Sequence, residues 1–224
     1  MKNRSTKEEN KNSFIIILSA LVLASILLLL LVATGATQKA DEEMLVRILS
    51  LRTPLWNEVF QVITQMGSYW FVAIMMAAGA ILLFRMIDWR TSAVYVTLVG
   101  AGSGLSELLK LLIARPRPAL LLNLSGEGYS YPSAHTMAAI CCYLGLAWFI
   151  SRKYRSRPLR WAMLTVAGAV VSLVGFSRMY LGWHYPTDVL GSVIMGLSLL
   201  FLSDFMFRRL KKSVRGTGFE PANH

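Results

Sequence analysis

Charged side chains are scarce in this sequence: they make up 16% of its 224 residues, against 55% hydrophobic. Soluble domains carry about 25% charged residues, so a solvated surface over most of the chain is excluded. Cysteine is nearly absent. The two that occur, Cys141 and Cys142, are adjacent in an apolar run. Neighbours on a helix do not face each other, which disfavours a disulfide and makes them small buried packing residues. Histidine occurs only three times and acidic residues only 12 times. The acidic residues are too scattered for an oxygen cage, and no Cys/His spacing suits zinc. Neither a metal nor a cofactor is expected. A net charge of +11 would suit nucleic acid, but no basic stripe interleaved with aromatics is present. The positive residues fall between apolar blocks, where a membrane accounts for them.

Those blocks are the main thing the sequence does contain. Crossing about 30 Å of hydrocarbon takes about 20 residues, and six stretches reach or approach that length. They are residues 14–34, 69–84, 91–113, 134–150, 161–176 and 187–207. The second, fourth and fifth are short, so their ends are expected to extend into interfacial residues. The first has a longer apolar core than a signal peptide and no small-x-small site after it, so an uncleaved anchor is expected. Between the first two spans, Met44, Leu45, Ile48, Leu49 and Leu51 recur at helical spacing among Asp41, Glu42, Glu43, Arg47 and Arg52. An amphipathic helix lying in the interface over residues 38–66 is predicted. The expected fold is all-α: a polytopic membrane protein, a bundle of six transmembrane helices with an interfacial helix after the first span. Residues 1–13 form the N-terminus, 14–207 the membrane domain and 208–224 a basic tail. No room is left for a separate soluble domain.

Loop charge sets a sidedness. One side of the alternating topology collects 16 of the 23 Lys and Arg residues, from Lys2, Arg4, Lys7 and Lys11 to Arg208, Arg209, Lys211, Lys212 and Arg215. Both termini are therefore expected in the cytoplasm. Lys110, Arg115, Arg117 and Arg178 run against this bias, at or near the outer ends of spans. Ionisable groups at such depth are costly and default to a functional reading.

Three clusters lie on that outer side. Lys110 to Pro118, with Arg115 and Arg117, closes the third span; Tyr131-Pro132-Ser133-Ala134-His135 opens the fourth. Ser177-Arg178, His184 and Asp188 bridge the fifth and sixth. Together they resemble the signature of the type 2 phosphatidic acid phosphatase superfamily, K-x6-R-P, P-S-G-H and S-R-x5-H-x3-D. One position departs from it: Ala134 stands where glycine is usual. The six-span layout also resembles the membrane members of that superfamily. The length, with no large extracytoplasmic insertion, is similar to bacterial phosphatases of phosphatidylglycerol phosphate or undecaprenyl diphosphate.

Phosphoryl transfer needs neutralised nonbridging oxygens, an in-line nucleophile and a protonated leaving group. Lys110, Arg117 and Arg178 can supply the charge, although basic residues at this depth can also snorkel to headgroups. Ser133 is a natural N-cap, at a helix end whose N–H groups attract phosphate. His184 and Asp188 are four apart, with Pro186 suited to the first helical turn between them. A carboxylate on one imidazole nitrogen would leave the other free to attack; the resemblance likewise implies a phosphohistidine on His184. His135 is then the general acid and base. Glu107, one turn before Lys110, is expected to hold the lysine. Ser177 is a candidate behind the phosphate-binding groups. Arg115 is expected to face the headgroup region, with the alternative of standing at or just behind the phosphate-binding groups, and Tyr180, Trp183 and Tyr185 to form an interfacial belt.

The expected activity is therefore hydrolysis of a membrane lipid phosphate without metal. Phosphatidylglycerol phosphate is the first substrate choice, undecaprenyl diphosphate the second and phosphatidate the third. A channel or transporter would show broken helices or paired half-repeats at midplane, which this chain lacks. Vanadate haloperoxidases of the same superfamily hold vanadate where phosphate would sit, but they are soluble.

Overall fold

The computed structural model describes residues 2–119, 128–154 and 156–216. Arg155 and the tail residues 217–224, with His224, lie outside the described residues. So do the side chains at 2–12 and 209–216, with their share of the one-sided positive charge. Every regular element among the described residues is helical. In order they are α1 (Lys2–Ala33), α2 (Gln38–Leu49), α3 (Pro54–Gln65), α4 (Tyr69–Met86), α5 (Trp89–Ile113) and α6 (Ala134–Ala139). A π-helical turn, Ile140–Leu144, leads into α7 (Gly145–Ser151), followed by α8 (Arg157–Tyr180) and α9 (Pro186–Gly216).

Among the described residues, six segments are long and apolar enough to cross a membrane: Ser13–Ala33, Tyr69–Met86, Trp89–Ile113, Ala134–Ser151, Arg157–Tyr180 and Pro186–Arg208. The short second, fourth and fifth spans do extend past their apolar cores. The interfacial stretch is a correction, because two helices stand where one was predicted over 38–66. The first ends at Leu49, and Thr53 caps the second, its hydroxyl accepting from Trp56 N at 3.3 Å, with Pro54 in the first turn. Leu45 and Asp41 of α2 are buried, so this helix rests on the bundle.

The fourth span is the hub. Two-thirds of it (67%) is buried, against 6% of the first. Small residues let its neighbours approach. A Cβ at Gly102 would lie 2.5 Å from Cys141 Sγ, and one at Gly196 would lie 2.8 Å from Ile140 Cγ2. Those contacts fall on the π-helical turn, whose two cysteines are buried and free, as expected. α1 packs outside, against α9.

The two ends of the bundle differ. At one, Lys153 Nζ donates to Met86 O at 2.7 Å, joining the α4–α5 and α7–α8 turns. Buried Asp204 there pairs with Arg208 at 2.6 Å and with Arg152. At the other end, the end of α5 and the start of α6 meet the end of α8 and the start of α9, with α2 and α3 packed on α8.

Candidate active site

At that second end, α8 stops because Gly182 takes φ +77°, a left-handed conformation suited to glycine. Trp183 N then donates to Arg178 O at 3.0 Å, and the chain folds back to present His184. Pro186 opens α9. The Asp188 carboxylate, one turn in, reaches back to accept from Tyr185 N at 2.9 Å. That bond fixes Asp188 Oδ2 3.4 Å from His184 Nδ1, both residues being buried. Burial pushes the His184 pKa down to about 4; Arg178 and Arg117 act in the same direction, and Asp188 opposes them.

The cations converge on this pair. Arg178 is buried and donates to Thr64 Oγ1 of α3 at 3.0 Å, and its Nε has no partner in the structure. Arg117 Nη1 donates to Trp183 O at 3.3 Å. The Trp183 ring lies 5.5 Å from Arg117 and 5.4 Å from Arg178, holding both guanidiniums by cation–π contact. Lys110 pairs with Glu107 at 2.9 Å, as expected, and Tyr69 of α4 donates to the same carboxylate. His135 lies within electrostatic reach of Arg178, His184, Lys110 and Arg117. A Cβ at Gly67 would sit 2.8 Å from His135 Cβ, so glycine lets the α3–α4 turn close over the imidazole.

Three expectations need correction. Arg115 does not face the headgroups. Ala114 takes φ +49°, turning the chain inward after α5, and Arg115 is 5% exposed with 2.7 Å ion pairs to Asp41 and Asp188. Burial alone would lower its pKa, but the two carboxylates outweigh that and raise it. Ser133 occupies the N-cap position without capping. Its Oγ accepts from Thr136 Oγ1 at 3.0 Å, which leaves the backbone N–H groups there without a side-chain cap. Ser177 is buried, and its hydroxyl donates to Val174 O at 2.6 Å on its own helix. Tyr180 and Tyr185 are buried, not a belt: Thr53 N donates to Tyr180 Oη at 3.0 Å, and Gln38 Nε2 to Tyr185 Oη at 3.1 Å. Sequence reasoning missed Asp41, Gln38, Thr64 and Thr187. Their one visible signal was a carboxylate at Asp41 on the helix face that carries Leu45.

A helical membrane bundle with a His–Asp pair beside two arginines, and a second histidine within reach of a lysine, has at that end the make-up of a membrane phosphatase. Residues 91–211, which carry all three motifs, match the PAP2 superfamily, and the chain belongs to that superfamily as a lipid phosphatase, a phosphoric monoester hydrolase. It is 33% identical over 184 residues to phosphatidylglycerophosphatase B of Bacillus subtilis (strain 168), covering 81% of this chain and 90% of that protein. It is 34% identical over 140 residues to undecaprenyl-diphosphatase BcrC of the same organism, covering 60% and 67%. The crystal structure of a transmembrane PAP2-type phosphatidylglycerolphosphate phosphatase from Bacillus subtilis superposes with a TM-score of 0.77 at 30% identity. That match covers 86% of this chain and 96% of the other.

Proposed function

We propose that this protein hydrolyses the phosphate monoester of phosphatidylglycerol phosphate to phosphatidylglycerol, through a phosphohistidine on His184. The observation that carries the mechanism is the buried His184–Asp188 pair with three cations and a second histidine around it. In this scheme the Nδ1–H of His184 is turned toward Asp188 Oδ2, 3.4 Å away, so the Nε2 lone pair is free to attack phosphorus in line. The phosphorus–oxygen bond to the lipid breaks, and His135 gives its proton to the leaving oxygen. His135 then takes a proton from water as that water attacks the phosphohistidine. Inorganic phosphate leaves and His184 is restored. Lys110, Arg117 and Arg178 neutralise the nonbridging oxygens, with uncapped N–H groups beside Ser133 adding donors. No metal takes part in this scheme.

The substrate choice rests on the similarity to phosphatidylglycerophosphatase B, which spans 90% of that relative. A second reading, undecaprenyl diphosphate, is favoured by the 34% identity to undecaprenyl-diphosphatase BcrC. Phosphate release from these two lipids and phosphatidate, measured on detergent-solubilised protein, ranks them. A rate on undecaprenyl diphosphate above that on phosphatidylglycerol phosphate reverses the assignment. For the mechanism, phosphohistidine is trapped by acid-free quench and located by mass spectrometry. Label on His135, or label retained in His184→Ala, would reverse the roles of the two histidines.

The setting that fits the charge bias is a bacterial cell membrane, with both termini cytoplasmic and the site outside. Tyr129→Cys, at the site end, should then react with an impermeant thiol reagent in intact cells, and Arg157→Cys, at the opposite end, should not. The opposite pattern would invert the topology.

A further inference from the structure

The His–Asp pair is backed by a second carboxylate from outside the segment matched to the superfamily. Asp41, in the first turn of α2, is 2% exposed. Its Oδ2 accepts from Arg115 Nη2 at 2.7 Å, while Arg115 Nη1 donates to Asp188 Oδ1 at 2.7 Å. Thr187 ties the two ends together: its N–H donates to Asp41 Oδ1 at 3.0 Å and its hydroxyl to Asp41 Oδ2 at 2.6 Å. Gln38 Oε1 accepts from Arg115 Nη2 at 3.1 Å, and the Tyr185 ring lies 4.1 Å from the guanidinium.

Charge arithmetic shows what this arrangement does. Asp188 offers one negative charge, and Arg115 takes up its Oδ1. That pair alone is neutral toward His184, whose ring gains positive charge as it accepts the phosphoryl group. Two carboxylates on one guanidinium instead leave a net −1 behind the imidazole. Burial keeps that charge from being screened away.

We propose, resting on the reading of His184 as nucleophile, that Asp41 is a positioning residue which acts through Arg115 to aim Asp188 at His184 and to hold the net charge behind the ring at −1. It touches no reacting atom. The charged and titratable groups facing His184 are Asp188 from α9, Arg178 from α8, Arg117 after α5 and His135 from α6, with Arg115 behind Asp188. Most are cationic, so losing one anion further disfavours a protonated or phosphorylated ring.

The test uses the full chain in detergent and the near-isosteric Asp41→Asn. Phosphohistidine formation is timed by rapid quench, kcat is followed against pH, and melting is recorded as a control. Phosphorylation of His184 should slow by about 10- to 100-fold, the range seen when outer partners of functional histidines are lost. The acid limb should move to lower pH, because the protonated ring has lost a stabilising charge. The double variant Asp41→Asn/Arg115→Gln returns the net charge behind the ring to −1 and should be faster than Asp41→Asn alone. A purely structural role predicts that it is no faster, and that result would overturn the proposal, as would a wild-type limb in Asp41→Asn. If Asp41→Asn does not fold, Asp41→Glu, which keeps the charge, should retain the wild-type limb; a displaced limb would sink the idea. Wild-type enzyme carrying label elsewhere than His184 would overturn the nucleophile reading and this one together. That failure is separable because it concerns the unaltered chain.

Discussion

Glu107 and Lys110 form a 2.9 Å ion pair across one turn of α5, with the lysine largely buried and the carboxylate half-exposed. Such a pair holds a side chain in place more than it stabilises a fold. Glu107→Gln should therefore leave melting unchanged and raise KM for the lipid by about two- to fivefold, with kcat close to wild type. A drop in kcat with unaltered KM would show that Glu107 acts on the chemistry instead.

Trp183 keeps two guanidiniums apart from a single ring, at 5.5 and 5.4 Å. Each contact is worth about 0.5–2 kcal/mol. Trp183→Ala should weaken vanadate inhibition by about tenfold or more, whereas Trp183→Phe should restore much of it. Equal inhibition constants in the two variants would argue against the ring as the organiser of Arg117 and Arg178.

With His184 as the proposed nucleophile, the acid limb of kcat reports its protonation. Burial holds the His184 pKa near 4, so the ring stays neutral and able to attack well below the ordinary histidine value of about 6.5. Activity should fall only as pH approaches about 4. Stability follows the same group: unfolded His184 takes a proton near pH 6.5 and the folded ring does not. That contribution is complete above about 6.5 and is lost as pH falls toward 4. A limb centred near 6.5 would mean the nucleophile is solvated.

Charge at the site comes from Lys110, Arg117 and Arg178, so EDTA should leave the rate within about twofold, while vanadate should inhibit as a pentacoordinate mimic. Loss of activity in EDTA, restored by magnesium, would show that a cation carries part of the load.

Part of the site was legible in helical spacing, and a further part in the resemblance of three motifs to a known signature. His184 and Asp188 stand four apart around Pro186, and the structure seats that proline at the first position of α9. Glu107 and Lys110 follow the same helical logic. Arg115 escaped because its inward path depends on Ala114 in a left-handed conformation, which alanine does not advertise as glycine would. Asp41 escaped because a carboxylate on an amphipathic helix ordinarily faces water; only tertiary packing reveals its partner 74 residues away. The break in residues 38–66 was written in Thr53-Pro54, a cap followed by a first-turn proline, but the apolar periodicity of Met44 to Leu51 drew the reading to a single helix. The π-helical turn left no mark, since it reflects how closely α5 and α9 approach at Gly102 and Gly196.

The hydrogen bond from Arg178 to Thr64 bears on how this enzyme could be recombined with its relatives. A chimaera that grafted residues 91–211 onto a foreign N-terminal half would import His135, His184 and the cations Lys110, Arg117 and Arg178. It would leave behind Thr64, the α3–α4 turn at Gly67 and the Asp41 carboxylate. The transplanted arginines would then meet unmatched walls. A productive crossover has to fall upstream of Gln38, so the inheritable working unit is larger than the stretch that sequence kinship marks out.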